Sequence, residues 1–236
     1  MSSMQRAIEN ILMNAAKVQE WQSDRLGTFK KSIRHYDTEY MYTEALSFLD
    51  QDTVDGLLSA VSKLEDYGIS TSYRFKSEQS FLYKLRKESN AERPLKKVAN
   101  DLLGIRLIVN EEEFSIDQII RIFEDTGYKI ITVNFYDHPK PEDDGYRGIH
   151  FYIQENTKTF PIEIQVWDYK SALLNFYAHE VIYKKESTGN AEREYALAVR
   201  KALEAFPRKP ESVDLSFVDY IFDVLYKHMK GEDEDG

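Results

Sequence analysis

Two short stretches combine residue types that do chemistry. Pro161-Ile162-Glu163-Ile164-Gln165 sets a carboxylate and a carboxamide two residues apart, and Asp144-Gly145-Tyr146-Arg147-Gly148-Ile149-His150 gathers a ring, a cation and an imidazole after a glycine turn. Residues two apart on a strand point the same way, so alternation gives each stretch one polar face. The second stretch begins a strand and the first is a strand able to lie beside it. A tight glycine turn, an aromatic ring, cations and a carboxylate together suit a nucleotide held for phosphoryl chemistry.

A further set of donors lies upstream. Tyr73-Arg74-Phe75-Lys76 alternates aromatic and cationic residues as a short strand would, and Ser77 then opens a helix carrying Ser80, Phe81, Leu82, Lys84 and Leu85. Hydroxyls and ammoniums near a helix N-terminus suit a polyphosphate; an ordinary basic amphipathic helix is the alternative. Asp101 precedes Gly104-Ile105-Arg106-Leu107-Ile108-Val109, a strong buried strand. A carboxylate there is placed to hold Mg²⁺, which takes oxygen ligands from one or two carboxylates plus phosphate; a helix-end or turn aspartate is the other reading. Arg106, inside an apolar strand, must reach a mouth of the sheet or a partner, because an unpaired buried guanidinium is costly.

The elements that position these groups follow from apolar spacing. Residues 4–26, 43–49 and 53–66 read as helices, the third capped by Asp52 or Thr53 and ended by Gly68. Residues 115–125 form a helix, 128–135 a strand, 149–154 and 160–167 a strand pair across a turn, and Tyr169 onward a helix again. Residues 137–144 are a polar loop fit for a mobile flap, and two more helices span about 191–206 and 213–230. The expected division is a helical extension over 1–68, a core over 69–186, C-terminal helices over 187–230 and an acidic tail over 231–236.

Composition narrows the classes. With 42% hydrophobic and 31% charged residues, the chain reads as globular, and no apolar run approaches a membrane span. The first residues lack a signal-peptide pattern and there is no cysteine, which excludes disulfides and thiolate metal sites and fits the cytoplasm. A net charge of −10 argues against generic nucleic-acid coating. Lys30, Lys31 and Arg34 nevertheless make a local basic stretch, either a solvated helix face or a phosphate-contacting patch.

Taken in order, Arg74-Phe75-Lys76-Ser77 with Ser80 and Lys84, Asp101-Leu102-Leu103-Gly104-Ile105-Arg106, Pro139-Lys140, Gly145-Tyr146-Arg147-Gly148-Ile149-His150, Glu163-Ile164-Gln165 and His179 with Tyr183-Lys184 resemble the RelA/SpoT synthetase domain, over about residues 70 to 185. The resemblance implies an α/β (α+β) fold similar to nucleotidyltransferases: a mixed sheet of about five strands flanked by helices, with helical extensions at both ends. It implies an ATP-dependent, Mg²⁺-using pyrophosphokinase that moves the β,γ-pyrophosphate of ATP to a nucleotide 3′-hydroxyl. By the same resemblance Arg74 and Arg106 sandwich adenine. Lys76, Ser77, Ser80 and Lys84 contact the triphosphate, and Asp101 and Glu163 are the catalytic and metal-binding carboxylates. Tyr146 stacks on the acceptor base, with Lys140, Arg147, His150, Gln165 and His179 on the acceptor side.

One departure bears on the acceptor. Alarmone synthetases usually continue after Glu-Ile-Gln with an arginine and a threonine, whereas this chain has Val166-Trp167-Asp168. The leading acceptor is GDP or GTP, giving the stringent-response alarmone (p)ppGpp. The alternative is a toxic small synthetase that pyrophosphorylates the 3′-CCA end of tRNA, with Lys30, Lys31 and Arg34 as tRNA contacts and an antitoxin as partner. A homo-oligomer is left open. No His-Asp cluster marks a hydrolase in the N-terminal helices, so the expected chain makes product without degrading it.

Overall fold

The computed structural model describes residues 3–23, 38–87, 90–110, 115–140, 144–155, 159–177, 194 and 196–201. These group into two compact units: one made of residues 1–139 and 147–169, the other of 140–146 and 170–236.

The first unit is built on a five-stranded mixed sheet in the order β1-β2-β5-β4-β3, formed by β1 (Ser70–Phe75), β2 (Leu103–Val109), β3 (Ile130–Asn134), β4 (Ile149–Ile153) and β5 (Ile162–Asp168). β2 and β5 run parallel at the centre, and the remaining pairings are antiparallel. The parallel pair needs a long crossover, which α6 (Ile116–Glu124), β3 and β4 supply. Both central strands are buried almost throughout, as their near-continuous apolar runs require.

Period-two alternation splits the sheet into an apolar and a polar face. Ile105, Leu107, Ile149, Phe151, Ile162, Ile164 and Val166 join one core with the apolar stripes of α1 (Ser3–Ser23), α3 (Gln51–Ser62) and α6. Phe123 stacks on Phe151 at 4.2 Å between ring centroids. A second cluster packs α2 (Thr38–Leu46), α4 (Glu78–Arg86) and α5 (Leu95–Val98) around Phe81, Leu102 and Phe160.

α1 is tied to the sheet by polar bonds as well. Gln19 donates to the carbonyls of Ile153 and Phe160, at 2.6 and 3.1 Å, and accepts from the Glu155 amide. Gln22 accepts from the Phe160 amide at 2.9 Å. One turn of helix thereby satisfies backbone groups where the β4–β5 hairpin leaves the ladder.

Several boundaries differ from the sequence reading. The third helix is capped by Asp50, whose carboxylate accepts from the Thr53 amide, and not by Asp52 or Thr53. It ends at Ser62 and tightens into a 3-10 turn over Lys63–Tyr67, closed by Gly68 at φ 72°. The helix expected over 43–49 begins five residues earlier, at Thr38, because Met41 and Ala45 join its buried side. α6 carries a reciprocal capping box between Ser115 and Gln118.

In the second unit, α7 (Tyr169–Tyr177) continues from β5, and residues 196–201 are helical, within the helix expected over 191–206. Leu174 packs with Ala196 and Val199. The acidic tail and the helix expected over 213–230 lie outside the described residues.

Candidate functional site

The polar face of the sheet carries the site. Strand pairing lines up Arg74, Gly104, Glu163 and Tyr152 in one row, and Ser72, Arg106, Gln165 and His150 in the next. Because neighbours across a ladder share a face, the alternation read from each strand brings these groups together. Gly104 leaves the row open in its middle: a Cβ there would lie 3.6 Å from the Glu163 carboxylate and 3.7 Å from the Arg74 side chain.

Lys76 follows β1 directly and Ser77 caps α4, accepting from the Ser80 amide and donating to the Ser80 hydroxyl. Lys84 sits in the last turn of the same helix. Both lysines converge on Asp101: Lys76 Nζ lies 2.7 Å from Oδ2 and Lys84 Nζ 3.1 Å from Oδ1. Lys84 also donates to Asn100 Oδ1 at 2.6 Å, and the Lys76 carbonyl accepts from Tyr42 at 2.9 Å. Burial pushes the Asp101 carboxyl up, but the charges and hydrogen bonds of the two lysines outweigh it and hold it below its ordinary value. For Lys84, burial dominates and lowers its pKa, against the pull of Asp101.

Glu163 is 3% exposed and hydrogen-bonded at both oxygens. Its Oε1 lies 2.9 Å from His150 Nδ1, and its Oε2 accepts from Gln165 Nε2 at 2.8 Å. Tyr152 lies 3.3 Å from the same His150 nitrogen and donates to the carboxylate. Burial raises the Glu163 pKa and Asp101's charge adds to that, yet the hydrogen bond and charge of His150 carry it below the ordinary value. An ionised carboxylate only accepts, so His150 presents its protonated Nδ1 to Glu163. The charge of Asp101 acts on Glu163, so the two carboxylates lie within electrostatic reach.

Arg106, half-buried in an otherwise buried strand, finds its partners. Its guanidinium lies over the Trp167 ring, 3.8 Å from the centroid, and donates to Gln165 Oε1 at 3.4 Å. A small pocket beside it is lined by Ser72, Arg74, Gly104, Arg106 and Gln165. Arg147, half-buried, leads into β4.

The second unit holds Tyr146 and Lys140. Lys140 Nζ sits 4.5 Å above the Tyr146 ring and 3.4 Å from Asp144, whose other oxygen accepts from the Tyr146 amide at 3.0 Å. Gly145 adopts φ 78°, and its carbonyl accepts from Arg200 Nε at 2.8 Å. Arg200, 3% exposed, also donates to Ser171 and Asn175 of α7. His179, Tyr183, Lys184, Lys30, Lys31 and Arg34 lie outside the described residues.

Sequence reasoning missed Asn100, Tyr152, Tyr42 and Arg200. Alternation from His150 would have found Tyr152, two residues on; nothing local marks the other three. For a divalent cation, Asp101 and Glu163 offer two ionised carboxylates, and no group of three or more His, Asp or Glu able to hold a metal occurs among the described residues. Two carboxylates completed by phosphate oxygens and water would suit a divalent cation that takes oxygen ligands. No helix among the described residues is long and apolar enough to cross a membrane.

Comparison with known proteins bears on the matched region and the fold. A family profile described as "Region found in RelA / SpoT proteins" matches residues 73–188. No curated protein matches the sequence. Among solved structures, the chain is similar to the small alarmone synthetase 1 of Bacillus subtilis bound to its product pppGpp, with 16% identity and a TM-score of 0.51 over 84% of this chain and 99% of that one. It is similar also to a GTP pyrophosphokinase family protein of Streptococcus pneumoniae, with 16% identity and a TM-score of 0.51 over 70% of this chain and 86% of that one. Both likenesses are of fold, and they extend over nearly the whole length of each relative. The polar sheet face and the lysine-bound aspartate fall within residues 73–188, and this part of the chain is the region found in RelA/SpoT proteins.

Proposed function

We propose that this chain transfers the β,γ-pyrophosphate of ATP to the 3′-hydroxyl of GDP or GTP, forming (p)ppGpp and releasing AMP. The observation that carries the reading is the convergence of an arginine-flanked pocket, a buried ionised Glu163 and the Lys76–Asp101–Lys84 cluster in one unit. The acceptor oxygen attacks the β-phosphorus, the bond from that phosphorus to the α-β bridging oxygen breaks, and AMP leaves. Arg74 and Arg106 flank the adenine, while Lys76, Ser77, Ser80 and Lys84 bind the triphosphate and meet the charge that develops on its oxygens. Glu163 orients the attacking hydroxyl and takes its proton, and His150, Gln165 and Tyr152 hold that carboxylate in place. Asp101 and Glu163 are the residues that would hold Mg²⁺, which when bound neutralises phosphate charge. Tyr146 stacks on the acceptor base with Lys140 beside the ring, and Arg147 contributes on the acceptor side. The product named for the Bacillus subtilis relative, pppGpp, supports the choice of acceptor.

A second reading has the 3′-terminal adenosine of tRNA as acceptor, which would make the protein a toxin with an antitoxin partner. The Val166-Trp167-Asp168 sequence favours it, since the arginine and threonine usual in alarmone synthetases are absent. Incubation with ATP labelled on the γ-phosphate and either GDP, GTP or deacylated tRNA separates the two. Label in a guanine nucleotide with stoichiometric AMP is the expected result. Label in tRNA alone establishes the second reading, and no transfer to any of the three refutes both.

A further inference from the structure

The geometry points to Trp167 as a positioning residue for ATP: its indole is the platform that holds the Arg106 guanidinium flat, so that the base stacks on a preset surface. This rests on the proposed reading, in which Arg74 and Arg106 flank the base.

The pairing register explains how the indole reaches its place. In the parallel β2–β5 ladder Arg106 lies beside Gln165, and Ile108 beside Trp167. Gln165 and Trp167 are two apart on β5 and therefore share the face on which Arg106 stands. The guanidinium carbon lies 3.8 Å from the ring centroid, the separation of a stacked cation–π pair. Gln165 Oε1 accepts from Nη2 and sets the rotation of the guanidinium in its own plane. Two independent contacts thus hold one side chain.

The indole itself is closed to ligand, being 1% exposed. The pocket lies along the Arg74 and Arg106 side chains, and Trp167 is absent from its lining. Arg106 thus lies against the buried indole on one side and lines, with Arg74, the pocket proposed for the base. An arginine held on a ring has given up rotamer freedom before a ligand arrives, so less is lost on binding. A cation at position 167 would stand against Arg106, whereas the indole attracts it. The departure at this position thereby acquires a role on the ATP side of the reaction.

The test uses the full chain with W167F, which keeps a ring, W167M, which fills space without one, and R106A. Each is titrated calorimetrically with a non-hydrolysable ATP analogue and with inorganic tripolyphosphate, which has no base. W167M should weaken the analogue about tenfold and W167F by no more than about twofold, with tripolyphosphate unchanged in both. Wild-type analogue affinity in W167M, or equal weakening of both ligands, overturns the inference. Loss in R106A without loss in W167M removes only the platform, whereas full analogue binding by R106A removes the base site itself.

Should W167M fail to fold, W21F leaves Trp167 as the sole tryptophan of the two in the chain. Its emission should shift with the analogue and stay constant with tripolyphosphate. No shift, or the same shift with both, overturns the proposal.

Discussion

Asp101 and Glu163 are kept ionised by different means, and their removal should be felt differently. D101N leaves Lys76 and Lys84 beside a neutral group, while E163Q keeps a group that can still bond Tyr152 and Gln165. We expect E163Q to lower kcat by about 10²–10⁴-fold with little change in ATP affinity, as for loss of a positioned proton acceptor, measured by AMP release and by analogue titration. Burial pushes both carboxyls up, but the lysines and His150 prevail and both end below their ordinary values. Carboxylates in the unfolded chain titrate at about 3.9 and 4.3, so the stability these two contribute is complete above those values and drains as pH falls through the lower folded ones. Thermal melts should therefore show wild type losing more stability than D101N between pH 6 and 3; a parallel loss would refute the assignment. At this scale the sequence was informative wherever one strand's alternation sufficed, as for Glu163 with Gln165. Asn100 and Tyr42 stayed hidden because their partners lie on separate elements, and the stack of Arg106 on Trp167 appears only once β2 and β5 are in register.

The β4–β5 hairpin depends on a helix far away in sequence. Gln19 spans 134 and 141 residues to reach the Ile153 and Phe160 carbonyls. Q19A should cost about 1–3 kcal/mol, the penalty for stranding buried carbonyls, in a urea denaturation midpoint. S115A, which breaks the capping box of α6, should cost about 1 kcal/mol in the same experiment. Strands and the helix-opening role of Ser77 were readable because apolar alternation and a cap residue are local signals. The cap of α3 was misread by two residues or more, since Asp50 and Asp52 are equally good caps by type and only the chain's direction into the helix selects between them. The polar tie between α1 and the hairpin had no local signal at all, because a glutamine on a helix reads as solvent-facing.

Across the molecule, the residues proposed to bind and react are drawn from many parts of the chain, and the fold class could be read because six motifs keep a common order. The second unit adds a check of its own. Gly145 has φ 78°, and a Cβ there would meet the Ala196 carbonyl at 2.9 Å, so G145A should be strained by about 1–3 kcal/mol and should raise the KM for the acceptor while sparing that for ATP. R200K, which keeps the charge but not the fork that reaches Gly145, Ser171 and Asn175, should show the same selective rise. Arg200 lies beyond the matched region, so no motif could flag it. One arrangement described above governs how the protein as a whole behaves before any substrate arrives. Lys76 and Lys84 occupy both oxygens of Asp101. On the proposed reading, an incoming triphosphate would compete for those ammoniums and so unlock the carboxylate. The resting protein should accordingly be indifferent to millimolar Mg²⁺ in calorimetry and become responsive once a nucleotide is present, an order of loading written into two hydrogen bonds.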